Sequence, residues 1–577
     1  MKKSRIEFNN FKPFAEHIQQ FDLKAITFVY GKNSIGKSSI IHLIGYINYI
    51  LDKKSFDAYE IKYGDTINLG GFRNFVNQKD LQKKLSIKIP ITKDGVSCAI
   101  KMNIGIHNED TTLLGIDYFM YDECFFSVDV YKGAYVNINS RYMREWLELT
   151  MQNGGWTEDE IFEAIDIQND GYMKFGETIN PYNVFVKEYK SDIYELYALT
   201  HDSVIETAFQ MTYWNKKCEK MKLRVSDLKK GRPARDAKSE KPAKKDTEVK
   251  TGLLELIKNN KTYKFHNYAS EMIRKKQNLL SEATEMEKFD IDPYQIDVFG
   301  ITEMRDVIQE IDDMVISLKS IFLHMALTAV IDMNQLYRHR FDIGLNYIGP
   351  LRYYPKREDM LSNLGYVEPN DSESFWHTLR EDASYREEIN QKFKALEIPY
   401  RIKLRKLYEV DEKALKKDEI TFVTSELYFE DINNHAKVHN REMGLGITQL
   451  LPIIGNCTVR ESSVIAIEQP ELHLHPSLQS KVADILIESC AKRNNFFLVE
   501  THSEHLLLRV MKRMRQTAEG TLEDENLRLT PDDVAVLYVD NDGEKTYILE
   551  LELDEDGTLL DPWPGGFFEE GFAERFF

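Results

Sequence analysis

The sequence predicts an α/β fold: a P-loop head with a mixed sheet and an antiparallel subdomain, split by a largely helical insertion. Three observations predict it. Residues 25–30, AITFVY, form an apolar, β-branched run leading into GKNSIGKS, and an apolar pattern of helical period follows to about Leu51. Far downstream, two more short apolar runs, residues 464–467 and 496–499, each stop at a glutamate, Glu468 and Glu500. Between these halves, from about residue 140 to 340, the chain reads mostly helical, with no heptads sustained long enough for a coiled-coil arm. The expected organisation is residues 1–135 for the first half of the head, 136–340 for the insertion and 341–577 for the second half.

Composition limits what such a chain can do. With 577 residues, 42% hydrophobic and 29% charged, it has the make-up of a water-soluble globular protein with room for a sizeable core. No apolar run reaches the ~18 residues of a membrane span, and MKKSRIEFNNFKPF lacks the apolar core of a signal peptide, so a cytoplasmic protein is expected. The five cysteines are scattered without a CxxC pair, which suits a reducing compartment and argues against structural zinc. A net charge of −19 argues against indiscriminate coating of DNA.

The segment from Gly31 to Ser38 matches G-x-x-x-x-G-K-[ST] in full. In that pattern Gly31, Asn33 and Gly36 let backbone N–H groups curl round a phosphate, and Lys37 reaches the β- and γ-phosphates. Ser38 ligates Mg²⁺, while Ser39 and the start of the next helix favour the anion. A chance glycine-rich turn is the alternative, and the strand before it and helix after it weigh against that reading. ATP with Mg²⁺ is the expected ligand; the N-K-x-D of guanine binders is not found.

The second half supplies matching parts. Gly444, Gly446, Thr448 and Gln449 lie in GLGITQ, a small polar turn opening an apolar helix, whose N-terminus is free to hold phosphate. After the strand of residues 464–467 comes EQPELHLHP, and after that of residues 496–499 comes ETHSEH. Parallel strands ending in polar groups would gather them round one crevice.

This order resembles the ABC-type ATPase heads of the structural-maintenance-of-chromosomes, recombination-repair and overcoming-lysogenization-defect families. YIGPLRYYP, GLGITQLLPII, IEQPELHLHP, VETHSEHLLLR and DPWPGGFFEEGFAERF together resemble a bacterial subgroup that includes PtuA-type ATPase subunits of Septu and retron-associated anti-phage systems. The resemblance implies Glu468 as the Walker B acid on the metal, His502 as the switch histidine and Lys12, in NNFKPF, as a basic residue near the phosphates. It also implies Gln78 as the lid glutamine, and a head-to-tail homodimer or higher oligomer in which Gly444–Gln449 reaches the partner's nucleotide. Where such heads keep a catalytic glutamate this chain has Gln469, which orients water but takes no proton near neutral pH. Glu471, beyond Pro470, is the preferred base, and slow turnover is expected.

Rival readings remain for some residues. His473, His475, His502 and His505 could hold a metal, though no cysteine accompanies them. Asp540-Asn541-Asp542 could be the D-x-D of a Toprim nuclease, but strand, Asn-Asp-Gly turn and TYILELEL read more simply as a β-hairpin. Within the basic linker expected at about 226–250, residues 229–250 carry nine basic residues against four acidic ones, open to nucleic acid or an acidic partner. Trp563 and the tail phenylalanines are costly to leave in water and are expected to dock on the head or on a partner. The functional expectation is an anti-phage ATPase governing a separate nuclease, HNH-type or other; the alternative is a DNA repair or maintenance ATPase.

Overall fold

The computed structural model describes residues 5–93, 96–145, 172–175, 181–186, 344–352, 372–410, 420–439 and 442–568, with Ala326, Ala329, Val330, Met333, Asn334 and Tyr337. The basic linker, most of 136–340 and the end of the aromatic tail lie outside the described residues. The chain divides into two compact units, Met1–Ser86 with Arg338–Phe577, and Ile87–Tyr337.

The first unit holds the expected mixed sheet. In chain order its relevant elements are β1 (Arg5–Asn9), β2 (Gln19–Asp22), β3 (Ile26–Gly31), α1 (Lys37–Lys53), β4 (Leu345–Ile348), α2 (Leu445–Val459), β5 (Val464–Glu468), α3 (Pro476–Arg493), β6 (Phe496–Glu500), α4 (Glu504–Glu519), β7 (Val534–Asn541) and β8 (Thr546–Leu551). Across the sheet the order is β4-β5-β6-β3-β7-β8, parallel throughout except for β8. All six residues of β3 are buried, as a parallel strand covered on both faces requires, and the same demand explains the unbroken apolar runs of β5 and β6. Ile26, Phe28 and Tyr30 join Ile465, Ile467, Phe497 and Val499 in one core with Leu450 and Ile454 of α2, Val482 and Leu486 of α3, and Leu506 and Val510 of α4.

Helix ends are set by local chemistry, and two of them position the site. The side chain of Ser503 accepts the N–H of Leu506 and starts α4, so the chain leaves β6 through Thr501 and His502. His475 caps α3 through Ser477 N–H, with Pro476 at its first turn, which gives His475 a structural task in place of the metal reading. β7 and β8 form the expected hairpin. Its turn uses the acids of the D-x-D: Asp542 Oδ1 accepts the N–H groups of Glu544 and Lys545, and Asp540 accepts Asn541 N–H and the Tyr547 hydroxyl.

The second unit is an antiparallel meander. Val96–His107, Asp110–Met120, Glu123–Asp129, Gly133–Asn137 and Tyr172–Phe175 pair antiparallel in chain order, with Leu85–Lys93 beside the first of them. The helical residues Ala326, Ala329, Val330, Met333, Asn334 and Tyr337 are all buried, the spacing of one helix face. No helix of the described residues is long and apolar enough to cross a membrane.

Candidate nucleotide site

The phosphate loop is shaped by what packs against it. β3 ends at Gly31, residues Lys32, Asn33 and Ser34 stand exposed, and Gly36 opens α1 at a φ of +112°. A Cβ on Gly36 would lie 2.4 Å from Pro13 Cγ, so both backbone angle and contact exclude any other residue. Ser39 is buried in the first helical turn. Lys37 is 4% exposed and its Nζ donates to Lys32 O at 2.7 Å, spanning the loop's mouth. Burial lowers its pKa, opposed by the charges of Glu500, Glu471 and Glu468.

Strand register gathers those acids. Glu468 at the end of β5 pairs in register with Glu500 at the end of β6, and Glu500 with Val29 of β3. Ser38 Oγ donates to Glu500 Oε2 at 2.6 Å, and the Tyr347 hydroxyl donates to Glu468 Oε1 at 3.0 Å. Burial and then the neighbouring Glu500 push Glu468 up to about 7, and burial also raises Glu500. Two adjacent buried carboxylates and a serine hydroxyl are an oxygen set that suits a hard divalent cation. Sequence reasoning named Ser38 and Glu468 for this task and missed Glu500, although the glutamate closing the second strand was its signal.

The Glu468 shift has a testable sign. Because its folded pKa lies above the ordinary carboxylate value, the folded state holds the proton more tightly, and stability falls as pH rises from about 5 through 7. In the nucleotide-free protein, the loss of Tm between pH 6 and pH 8 is expected to shrink in Glu468→Gln. Equal losses in variant and wild type would refute the shared burial of the two acids.

The turn after β5 folds back onto β6. Gln469, at a φ of +46°, donates its N–H to Glu500 O at 2.7 Å. Glu471 accepts Thr501 Oγ1–H at one oxygen and His502 N–H at the other, each at 2.7 Å. Glu471 is thus brought to the Lys37 cluster and anchored there. His502 is half-buried; burial and then Lys37 lower its pKa, which keeps the ring neutral, and its Nε2 is buried without a hydrogen-bond partner among the described residues. Beneath the turn lies Arg352, 3% exposed, a residue the sequence reading did not single out. Its Nη2 donates to Glu468 O at 2.8 Å and Gln469 O at 3.1 Å, and burial pushes its pKa down to about 10.

The N-terminal turn adds a further cation, Lys12. Lys12 Nζ meets His42 Nδ1, and His42 Nε2 lies 3.9 Å from Glu468 Oε1. Burial brings Lys12 to about 8, partly offset by Glu468, while burial and Lys12 push His42 to about 3, so the imidazole is neutral. Lys12 N–H donates to Phe75 O at 2.7 Å and Lys12 O accepts from Asn77 Nδ2 at 2.9 Å, which ties the segment before Gln78 to this turn. Gln78 itself is exposed, with its amide oxygen accepting from Lys83 Nζ.

Residues 1–507 match the family described as AAA ATPase domain. The chain belongs to the AAA ATPase domain family. Residues 529–574 match a second family, described as a protein of unknown function, DUF3696. No curated protein gives a significant match. Solved structures similar to the chain include the SMC head domain from Thermotoga maritima, 8% identical with a TM-score of 0.32, over 96% of this chain and 100% of that one. An Smc head domain with a coiled coil and joint from Pyrococcus yayanosii is 12% identical with a TM-score of 0.31, over 96% and 98%. An Smc head domain with an extended coiled coil, bound to the C-terminal domain of ScpA and derived from Pyrococcus furiosus, is 11% identical with a TM-score of 0.31, over 95% and 96%.

The ATPase presents its second glycine turn differently from the sequence expectation. Gly444 and Leu445 are exposed at the start of α2, but Thr448 and Gln449 are buried. Thr448 Oγ1 donates back to Leu445 O at 2.8 Å. The Gln449 amide brackets the Arg352 backbone, accepting its N–H at 3.2 Å and donating to its O at 3.3 Å. Within the single chain these two side chains are hydrogen-bonded internally. Gly446 packs so close to the loop after β5 that a Cβ would lie 2.4 Å from His473 O. The outward part of the turn is the helix N-terminus itself.

Proposed function

We propose that the ATPase binds Mg²⁺–ATP between Lys12, Lys37, Ser38, Glu468 and Glu500, hydrolyses it slowly, and works as a head-to-tail dimer. In this reading the Gly444–Leu445 helix start of one copy closes the site of the other. The observation that carries it is the exposure of that helix N-terminus, Gly444 and Leu445, while the phosphate loop already has the α1 N-terminus of its own. Asn33 and Gly31 line the loop, and Ser39 supports its helix. Mg²⁺ would be held by Ser38, Glu468 and Glu500, and would neutralise charge on the phosphates.

Membership of the AAA ATPase domain family supports an ATPase, and a DNA repair or maintenance role in the cytoplasm needs no separate effector subunit. The anti-phage reading rests on the resemblance of the motifs around Arg352, Glu471 and the aromatic tail, and it requires a nuclease partner. The basic linker would be the contact for nucleic acid. Duplex DNA that stimulates ATP turnover supports the first setting, and a nuclease that co-purifies in fixed ratio supports the second.

The dimer is tested by mixing two inactive variants. No atom of the described residues lies within 4 Å of a Cβ placed on Gly444, so Gly444→Glu is tolerated there and sets a negative charge against the partner's phosphate. Gly444→Glu and Lys37→Ala are each expected to be inactive, and their mixture to regain part of the wild-type turnover from the one intact composite site. A mixture as inactive as its components counts against shared sites.

A further inference from the structure

The segment matching a family of unknown function ends in aromatic residues that the hydrolytic scheme does not use. Trp563 packs on Tyr30 at 5.3 Å between ring centroids, and Phe568 on Tyr30 at 5.7 Å. Phe567 meets Tyr538 at 5.4 Å, Tyr30 at 6.3 Å, Trp563 at 5.9 Å and Phe568 at 4.7 Å. The remaining side of Phe567 faces His502, with centroids 6.4 Å apart and ring planes inclined by 33°. Tyr30, fully buried in the phosphate-loop strand, donates its hydroxyl to Ser503 O at 3.1 Å. The His502–Ser503 turn is therefore held at its backbone by Tyr30 and Glu471, and at its ring by Phe567.

We propose that Phe567 is a positioning residue for ATP hydrolysis, fixing the imidazole of His502 so that Nε2 faces the terminal phosphate of bound nucleotide. The inference rests on the reading of His502 as the switch histidine and deepens it, by assigning the aromatic segment to the wall of the nucleotide site. Two features support a positioning role over mere packing. Phe567, partly buried, packs against four aromatic rings that restrict its rotamer beside His502. Among the described residues His502 Nε2 is buried without a hydrogen-bond partner, and holding an unpaired polar atom there suits an atom that awaits a ligand.

The test is a double-mutant cycle of ATP turnover with ATP affinity measured alongside. Phe567→Ala is expected to lower kcat by about tenfold or more, as a small misplacement does, with affinity near wild type. Phe567→Tyr, which keeps the ring, is expected to retain turnover. In a His502→Ala background, Phe567→Ala is expected to cost nothing further. Phe567→Leu, which keeps most of the buried volume but not the flat face, is expected to behave as Phe567→Ala does and covers the case in which alanine disturbs folding. The proposal is overturned if Phe567→Ala and Phe567→Leu turn over at the wild-type rate, or if Phe567→Ala slows the His502→Ala enzyme by its full factor. A His502→Ala enzyme at wild-type kcat would overturn the switch-histidine role itself, a separate result from the two above.

Discussion

Lys37→Ala is expected to bind ATP about 100-fold more weakly than wild type, or not detectably, with no measurable turnover. Two effects act in the same direction. The variant loses a charge-assisted hydrogen bond to the β- and γ-phosphates, worth about 1.5–3 kcal/mol, or roughly 10- to 150-fold in Kd. It also leaves Glu468, Glu471 and Glu500 without the ammonium they interact with, so their charge opposes the incoming triphosphate. The fold is not at risk from this change, because among the described residues Lys37 Nζ donates to Lys32 O, within the same loop. Titration calorimetry with ATP and Mg²⁺, beside a Tm control, measures both quantities. Unchanged affinity in a folded variant would remove the phosphate-loop assignment.

Glu471→Gln is expected to slow turnover by about 100-fold or more while ATP affinity stays within a few-fold of wild type, the pattern of a lost general base. The amide is nearly isosteric and can still accept His502 N–H, and the Thr501 hydroxyl can turn to accept from its NH₂ group, so the turn survives. Gln469→Ala is expected to matter less, since Gln469 is held through its backbone, by Glu500 O and by Arg352 Nη2. Single-turnover rates decide between them. Wild-type hydrolysis in Glu471→Gln would sink that residue as the base; a larger loss in Gln469→Ala would point to water orientation by the glutamine instead. Wild-type rates in both would mean hydrolysis depends on neither.

Much of the head was legible in the sequence because its signals are local. An apolar β-branched run, a full phosphate-loop pattern and an amphipathic helix lie in one stretch of residues 25–51, and each part is determined by neighbours a few residues away. The hairpin after Val539 was legible for the same reason, since its Asn-Asp-Gly turn contains its own acceptors. What tertiary structure decided are pairings that no window of sequence contains. Ser38 meets Glu500 across 462 residues, because β6 lies beside β3 in parallel register and so ends at the phosphate loop. Gln449 is drawn inward by the backbone of Arg352, 97 residues earlier, which a helix-start pattern alone cannot show. Tyr30 reads as one more apolar strand residue, and only the folded chain brings it under Trp563, Phe567 and Phe568. Hydrophobic period fixes which face of an element is buried, whereas strand order and register fix what that face meets.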